Sequence, residues 1–211
     1  DPTTFCTAMS VSHVYSPGTI NCVDVAPGGF VVTGSLRGCK TRVYYRGGTH
    51  KMIHPDGVTA VAVTRDGAHF VSAAGGTVKR WSLVGDLQHR FCVGLSIQLY
   101  SIAMLPDGVH LVVGLDHGLG EQRGEVRLYH VDGTLVHTFE GHTDWARAVA
   151  VTRDGQHIIS GSDDYFVKVW SVASKKIVST CDGHTGFVMA VAVMPDGQRI
   201  LSGSYDKTIC V

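Results

Sequence analysis

One turn recurs five times along this chain, at Gly28-Gly29, Asp66-Gly67, Asp107-Gly108, Asp154-Gly155 and Asp196-Gly197, and each copy sits between β-prone runs. The second glycines stand 38, 41, 47 and 42 residues apart. A period of about 40 residues describes an array of one supersecondary unit, since so small a unit cannot bury its own apolar face and must stack on neighbours. The content of each unit decides which kind of array. Between the turns lie short runs rich in Val, Ile, Thr and aromatic residues, such as Val58 to Thr64, Phe70 to Ala73, Val78 to Leu83 and Leu87 to Val93. No 3.6-residue period competes with them. The expectation is an all-β chain with four strands to a unit.

Lys plus Arg equals Asp plus Glu, 18 of each, so the net charge is zero. A general attraction to nucleic acid or to an acidic membrane surface has no support, and neither is expected as a partner. No uncharged apolar run approaches the ~18 residues that cross a bilayer, and the first residues do not read as a signal peptide. The six cysteines, Cys6, Cys22, Cys39, Cys92, Cys181 and Cys210, form no CxxC pair. They read as reduced, mostly buried thiols, which places the protein in the cytoplasm. The chain opens at Asp1 rather than at a methionine and stops at Val211 inside what the repeat register makes a strand. The expectation is therefore a fragment of a longer repeat protein.

The clearest unit runs from Gly141-His142 through Trp145 to Val151, the turn Thr152-Arg153-Asp154-Gly155, His157 to Ser162, Asp163-Asp164, Phe166 to Val172 and Ile177 to Cys181; Gly183-His184 opens the next. Gly-His, then Ser-Gly-Ser-x-Asp, then Val-Lys-Val-Trp resembles the WD-repeat family. That resemblance implies a β-propeller of four-stranded antiparallel blades. It is present here as an incomplete array of about four to five blades, near residues 15–54, 55–94, 95–141, 142–183 and 184–211. Family propellers most often close with seven, so further blades would be needed for closure. An unclosed array would expose an apolar blade face and unpaired edges, which predicts poor solubility for this piece alone.

The resemblance also implies a buried hydrogen-bonded set in each blade: His142, Ser160, Asp164 and Trp170, and in the last unit His184, Ser202 and Asp206. A meander leaves its second hairpin and interblade loop with unpaired polar groups, and such a set satisfies them. The second unit keeps His54, Ser72 and Trp81 but has Gly75-Gly76 in place of the acidic turn. The third has Gly94-Leu95, Val113 and Tyr129 at the Gly-His, Ser and Trp places, with a glycine-rich insertion from His117 to Gly124. The first has Tyr15-Ser16, Thr33 and Tyr44 there. Trp81 and Trp170 are both followed by serine, so the Trp-Asp dipeptide never occurs.

Ser, His and Asp together invite a catalytic-triad reading, and 12 histidines invite a metal one. Both lose, because these residues recur at blade spacing while catalysis needs one unique constellation. His69, His110 and His157 each follow a turn glycine by two residues and line up as a rim, not a ligand shell. No phosphate loop, zinc spacing or nucleotide fingerprint occurs. No catalytic, cofactor-binding or metal-binding residue is assigned, and no enzyme activity is expected.

In a meander the loops joining successive blades emerge on the same rim as each second hairpin. That rim gathers Trp145, Arg147 and Asp163, then Phe187, Met189 and Tyr205, with Gln98, Tyr100 and the Glu121-Gln122-Arg123 tip of the insertion. Aromatic residues and arginine on one rigid face compose a protein-binding hot spot. The other reading, that Trp145 and Phe187 pack under the loops, stays open at this point. The function expected is a non-catalytic scaffold for proteins or peptides; the alternative is the regulatory or sensor region of a larger enzyme such as a kinase or nucleotide hydrolase. A propeller enzyme with a channel site is disfavoured, because the innermost runs Val58 to Val63, Ile102 to Leu105, Ala146 to Val151 and Val188 to Val193 are mostly small and apolar.

Overall fold

The computed structural model describes residues 20–26, 29–35, 42–44, 50–52, 57–94, 96–116 and 124–211. His54, Tyr15-Ser16 and the Glu121-Gln122-Arg123 tip lie outside the described residues. The described residues contain strands and turns and no helix. The first sheet holds β1 (Ile20–Ala26), β2 (Phe30–Ser35), β3 (Arg42–Tyr44) and β4 (His50–Met52); the second holds β5 (Ala60–Val63), β6 (His69–Ala74), β7 (Thr77–Ser82) and β8 (Leu87–Cys92). In the third are β9 (Leu99–Met104), β10 (His110–Asp116), β11 (Gly124–His130) and β12 (Leu135–Phe139). The fourth comprises β13 (Ala146–Val151), β14 (His157–Ser162), β15 (Val167–Ser171) and β16 (Ile177–Cys181), and the fifth β17 (Val188–Val193), β18 (Ile200–Ser204) and β19 (Ile209–Cys210). Every sheet is an antiparallel meander in chain order. These are propeller blades, and among the described residues the array does not close into a ring.

The recurring turn forms for local reasons. Gly67, Gly108, Gly155 and Gly197 each donate their N–H to the carbonyl three residues back, at 2.8, 3.0, 2.8 and 2.8 Å. All four have φ between +66° and +72°, the left-handed region where a Cβ is penalised. The aspartate before each glycine accepts from the N–H two residues on, at 2.9 to 3.0 Å, which closes the bend with its own side chain.

The innermost strands stand side by side, β1 against β5, β5 against β9, β9 against β13 and β13 against β17. Four apolar clusters fill the spaces between consecutive sheets. Each interface repeats one fit. Val58, Leu99, Ala146 and Val188 head the innermost segments of the second to fifth units and are wholly buried. Three of them meet a glycine on the second strand of the preceding sheet. A Cβ on Gly34 would lie 2.6 Å from Val58 Cγ1, one on Gly161 2.5 Å from Val188 Cγ1, and one on Gly114 2.7 Å from the Ala146 carbonyl. At the same register place the second sheet has Ala73, also wholly buried. The array leaves one socket and one knob unmatched: a Cβ on Gly203 would meet nothing within 4 Å, and Ile20 of β1 is 52% exposed.

Two strand starts differ from the sequence reading by more than one residue. β5 begins at Ala60 rather than Val58, because Val58 leaves the ladder to cross to Ser35 of the first sheet, its N–H donating there at 2.8 Å. β9 begins at Leu99 rather than Ile102, since Leu99 and Ser101 both pair with β10 across a bulge that passes over Tyr100.

Candidate functional site

The rim is built by that bulge. Four innermost strands open with a register slip, between Ile20 and Cys22, Leu99 and Ser101, Ala146 and Ala148, and Val188 and Ala190. The residue passed over, Asn21, Tyr100, Arg147 or Met189, leaves the ladder, and a bulge re-aims its side chain. In the last three units it stands beside two residues, the one just before the strand's paired start and the head of the second hairpin. Backbone bonds tie those two together: Asp116 N–H to the Gln98 carbonyl at 3.2 Å, Asp163 to Trp145 at 3.0 Å and Tyr205 to Phe187 at 2.8 Å. Three equivalent rim stations result: Gln98, Tyr100, Asp116; Trp145, Arg147, Asp163; Phe187, Met189, Tyr205.

Beneath the rim lie the polar sets. In the fourth unit the Trp170 indole N–H donates to Ser160 Oγ at 2.8 Å, the Ser160 hydroxyl meets His142 Nε2 at 2.7 Å, and His142 Nδ1 meets Asp164 Oδ2 at 2.7 Å. The His142 ring thus bridges the Ser160 hydroxyl and the Asp164 carboxyl group. Asp164 also accepts from the backbone N–H of Thr143 and Phe166, each at 3.0 Å, which pins the interblade loop to the hairpin. Burial works against ionisation of Asp164, but the His142 bond and these N–H donors outweigh it and hold the carboxyl below its ordinary value. The fifth unit repeats the plan: His184 to Asp206 and to Ser202, both 2.9 Å, with Thr185 N–H on Asp206 at 2.9 Å. The Thr208 hydroxyl and backbone N–H donors hold Asp206 below the usual carboxylate range. In the second unit the Trp81 to Ser72 bond forms at 2.9 Å.

Above these sets the stations differ in kind. Between the third and fourth units Arg147 binds Asp163 through Nε and Nη2, at 2.9, 3.0 and 2.7 Å. Its guanidinium carbon lies 4.4 Å from the Tyr100 ring centroid and 4.7 Å from that of Trp145, and the two rings stack at 5.8 Å. Asp163 is buried, and the Tyr100 hydroxyl reaches Asp116 at 3.4 Å. This cluster is satisfied from within.

Around the fifth unit the station is open. Phe187, Met189 and Tyr205 are 39%, 48% and 75% exposed, and Tyr165 from the preceding hairpin is 43% exposed. Phe187 lies between the two tyrosines, 5.9 Å from Tyr165 and 6.2 Å from Tyr205. The rings border a groove of about 350 Å³ with Thr185, Gly186 and Asp206.

The WD domain, G-beta repeat family matches this chain at residues 49–82, 133–171 and 175–211, together more than half of its length. The chain belongs to the WD40 family. Among curated proteins it is similar to a ribosome biogenesis protein BOP1 homolog of Drosophila grimshawi, 45% identical over 40 residues, which is 19% of this chain and 5% of that protein. It is also similar to an intraflagellar transport protein 122 homolog of Xenopus tropicalis, 33% identical over 78 residues, 36% of this chain and 6% of that protein. The chain matches only about one-twentieth of the length of these relatives. WD40 repeats point to a protein-interaction scaffold, of a kind that is typically non-catalytic.

In WD40 terms the third unit lacks the shared set, and the structure shows its substitute. Arg127 pairs with Glu125 of its own strand at 2.6 Å and donates to the Tyr129 hydroxyl at 3.5 Å and to the Val93 carbonyl at 3.2 Å, and this last bond ties the third strand to the preceding loop. Sequence reasoning missed Arg127 and Tyr165. The signal for Tyr165 was its place at the tip of an Asp-Asp-Tyr-Phe hairpin, where the chain takes φ +75° and turns the ring outward. Among the described residues no group of His, Cys, Asp or Glu could hold a metal ion, and no helix is long and apolar enough to cross a membrane.

Proposed function

We propose that this WD40 chain is a non-catalytic scaffold that binds other proteins or peptides through its rim. The observation that carries the reading is the run of exposed aromatic side chains, Tyr165, Phe187 and Tyr205, on two hairpins and an interblade loop tied down by the Asp164 and Asp206 networks. Large rings mounted on a fixed frame lose little conformational entropy when they are covered. Tyr100, Trp145, Arg147 and Asp163 have a supporting role, since their polar groups already face one another.

Affinity capture from cell extract tests this, comparing the wild-type chain with a Phe187→Ala, Tyr205→Ala double variant and with Trp145→Ala. Loss of captured proteins in the double variant, at an unchanged melting temperature, is the expected result. Retention of every captured protein sinks the reading. We also place the protein in the cytoplasm: Cys22, Cys92, Cys181 and Cys210 are free thiols, and burial pushes Cys22 up to about 11, leaving it inert.

A further inference from the structure

The outermost strand of a four-stranded blade is an edge, with a row of backbone N–H and C=O groups turned away from its one neighbour. The edges of this chain differ in how they are guarded. β8 reads Leu-Gln-His-Arg-Phe-Cys; it carries Arg90, and His89 meets the Asp132 carbonyl of the next unit at 2.8 Å. β12 reads Leu-Val-His-Thr-Phe and is covered at one end, where Phe139 is buried against Trp170. β16 reads Ile-Val-Ser-Thr-Cys, carries no charge and is exposed at all five residues, Ile177 to 43% and Val178 to 58%. Among the described residues it pairs with β15 alone.

Charge brackets this strand with opposite signs. Lys175 and Lys176 precede it and Asp182 follows it. Lys176 and Asp182 are exposed, and among the described residues no hydrogen bond or ion pair engages either side chain. Guards that only repel a second strand would carry one sign at both ends. Opposite signs discriminate by direction: a parallel copy sets lysine against lysine, whereas an antiparallel copy sets lysine against aspartate. In the antiparallel register centred on Ser179, Lys176 falls opposite Asp182, Ile177 opposite Cys181 and Val178 opposite Thr180, and each pair recurs across the two-fold axis. Directly opposed residues stand about 5 Å apart, close enough for opposite charges to attract. The bulge that passes over Val178 in the pairing with β15 lies beside this axis, so both copies carry it symmetrically.

We propose that the edge of β16 pairs antiparallel with β16 of a second copy of this chain, joining the two fourth sheets into one continuous sheet. The contact is isologous, one strand meeting itself, so it closes at two copies. Two short strands bury less surface than a standard interface, which makes the pair weak and confines it to high chain concentration. It uses none of the rim residues and stands or falls independently of the reading of the rim.

Sedimentation velocity on the full chain, from about 10 to about 500 µM, reads the equilibrium between one copy and two. Lys176→Glu and Asp182→Lys each turn two attractions into two repulsions and are expected to weaken the pair at least about fivefold. The variant carrying both exchanges restores opposite charges across the axis and is expected to return to within about twofold of wild type. Val178→Lys places in mid-strand the kind of charge that natural edges use as a guard, and is expected to abolish pairing. All three positions are exposed, so each variant should melt within about 2 °C of wild type.

A wild-type chain that stays monomeric over the whole range overturns the inference and leaves the edge to a strand of another protein. A dimer that ignores both single exchanges overturns it too, as does one that the double exchange fails to restore in a folded chain. Association that runs on past two copies would come from the unmatched Ile20 and Gly203 faces, which changes at Lys176 and Asp182 leave alone, and would likewise overturn it. The Phe187→Ala, Tyr205→Ala variant should dimerise as the wild type does, which keeps this result separate from that of the rim.

Discussion

The fourth and fifth units share a sequence plan and bury it differently. β13 reads Ala-Arg-Ala-Val-Ala-Val and β17 reads Val-Met-Ala-Val-Ala-Val, and both pair with a Ser-Gly-Ser strand through the same bulge. Yet Ala148 and Val149 are buried, whereas their counterparts are an exposed Ala190 and a half-exposed Val191. The cause lies outside either unit: the fourth sheet is covered by the fifth, and Val188 fills the Gly161 socket. The polar sets do not follow this difference. His142 and Asp164 are 1% and 3% exposed at the side chain, His184 and Asp206 2% and 8%. Two kinds of interior coexist in this molecule, a polar one that each unit closes for itself and an apolar one that exists only between units.

That contrast can be broken most forcefully at Trp170, which belongs to both interiors: it donates to Ser160 and packs on Phe139 with centroids 5.5 Å apart. Trp170→Ala is expected to destabilise the chain by about 3–5 kcal/mol in chemical denaturation. A loss below about 1 kcal/mol would mean that the fourth unit does not depend on its indole. Next comes the glycine pair. Gly161→Ala forces a methyl group onto Val188 and is expected to cost about 1–3 kcal/mol, whereas Gly203→Ala, with open space around it, is expected to lie within about 0.5 kcal/mol of wild type. Equal losses at both positions would show that the Gly203 face is covered too.

Asp164→Ala strands the His142 and backbone donors and should cost about 1–3 kcal/mol. The same network gives a pH dependence with a definite sign. Asp164 and Asp206 titrate below the unfolded-chain value of about 3.9, so their contribution is fully present above that pH and is lost as pH falls toward the folded values. Urea melts between pH 6 and pH 3 should therefore show falling stability, with a shallower fall in Asp164→Asn. An unchanged slope in that variant would remove Asp164 from the account. The smallest stability effect belongs to the open station: Phe187→Ala should move the melting temperature little, since a partly exposed surface position is worth about 0.5 kcal/mol or less, and should act on binding alone.

Much of this was legible in the residues. The Asp-Gly turns and the strands between them are local, so their spacing locates them, and the resemblance to the WD-repeat family picked out the His142, Ser160, Asp164 and Trp170 set. The rim stations were legible as a group, since Tyr100, Arg147 and Met189 occupy one repeat position. What could not be read was their division into a closed station and an open one. Arg147 looks like a free arginine until the fold brings Asp163 from 16 residues away and Tyr100 from the preceding unit around it. Arg127 escaped notice because it satisfies the third unit by an ion pair that shares no residue type with the sets beside it.

The sequence by itself determined the unit: where each turn falls, where the strands run between the turns, and, through the family resemblance, the polar residues of the fourth and fifth blades, because those interactions span one hairpin or one loop. Only the tertiary structure decided which faces of those units are interior. Whether Ala148 or Ala190 is buried, and whether Arg147 or Met189 meets solvent, depends on a neighbouring sheet and the residues it carries. Burial belongs to the contact between units, and a unit cannot encode it alone.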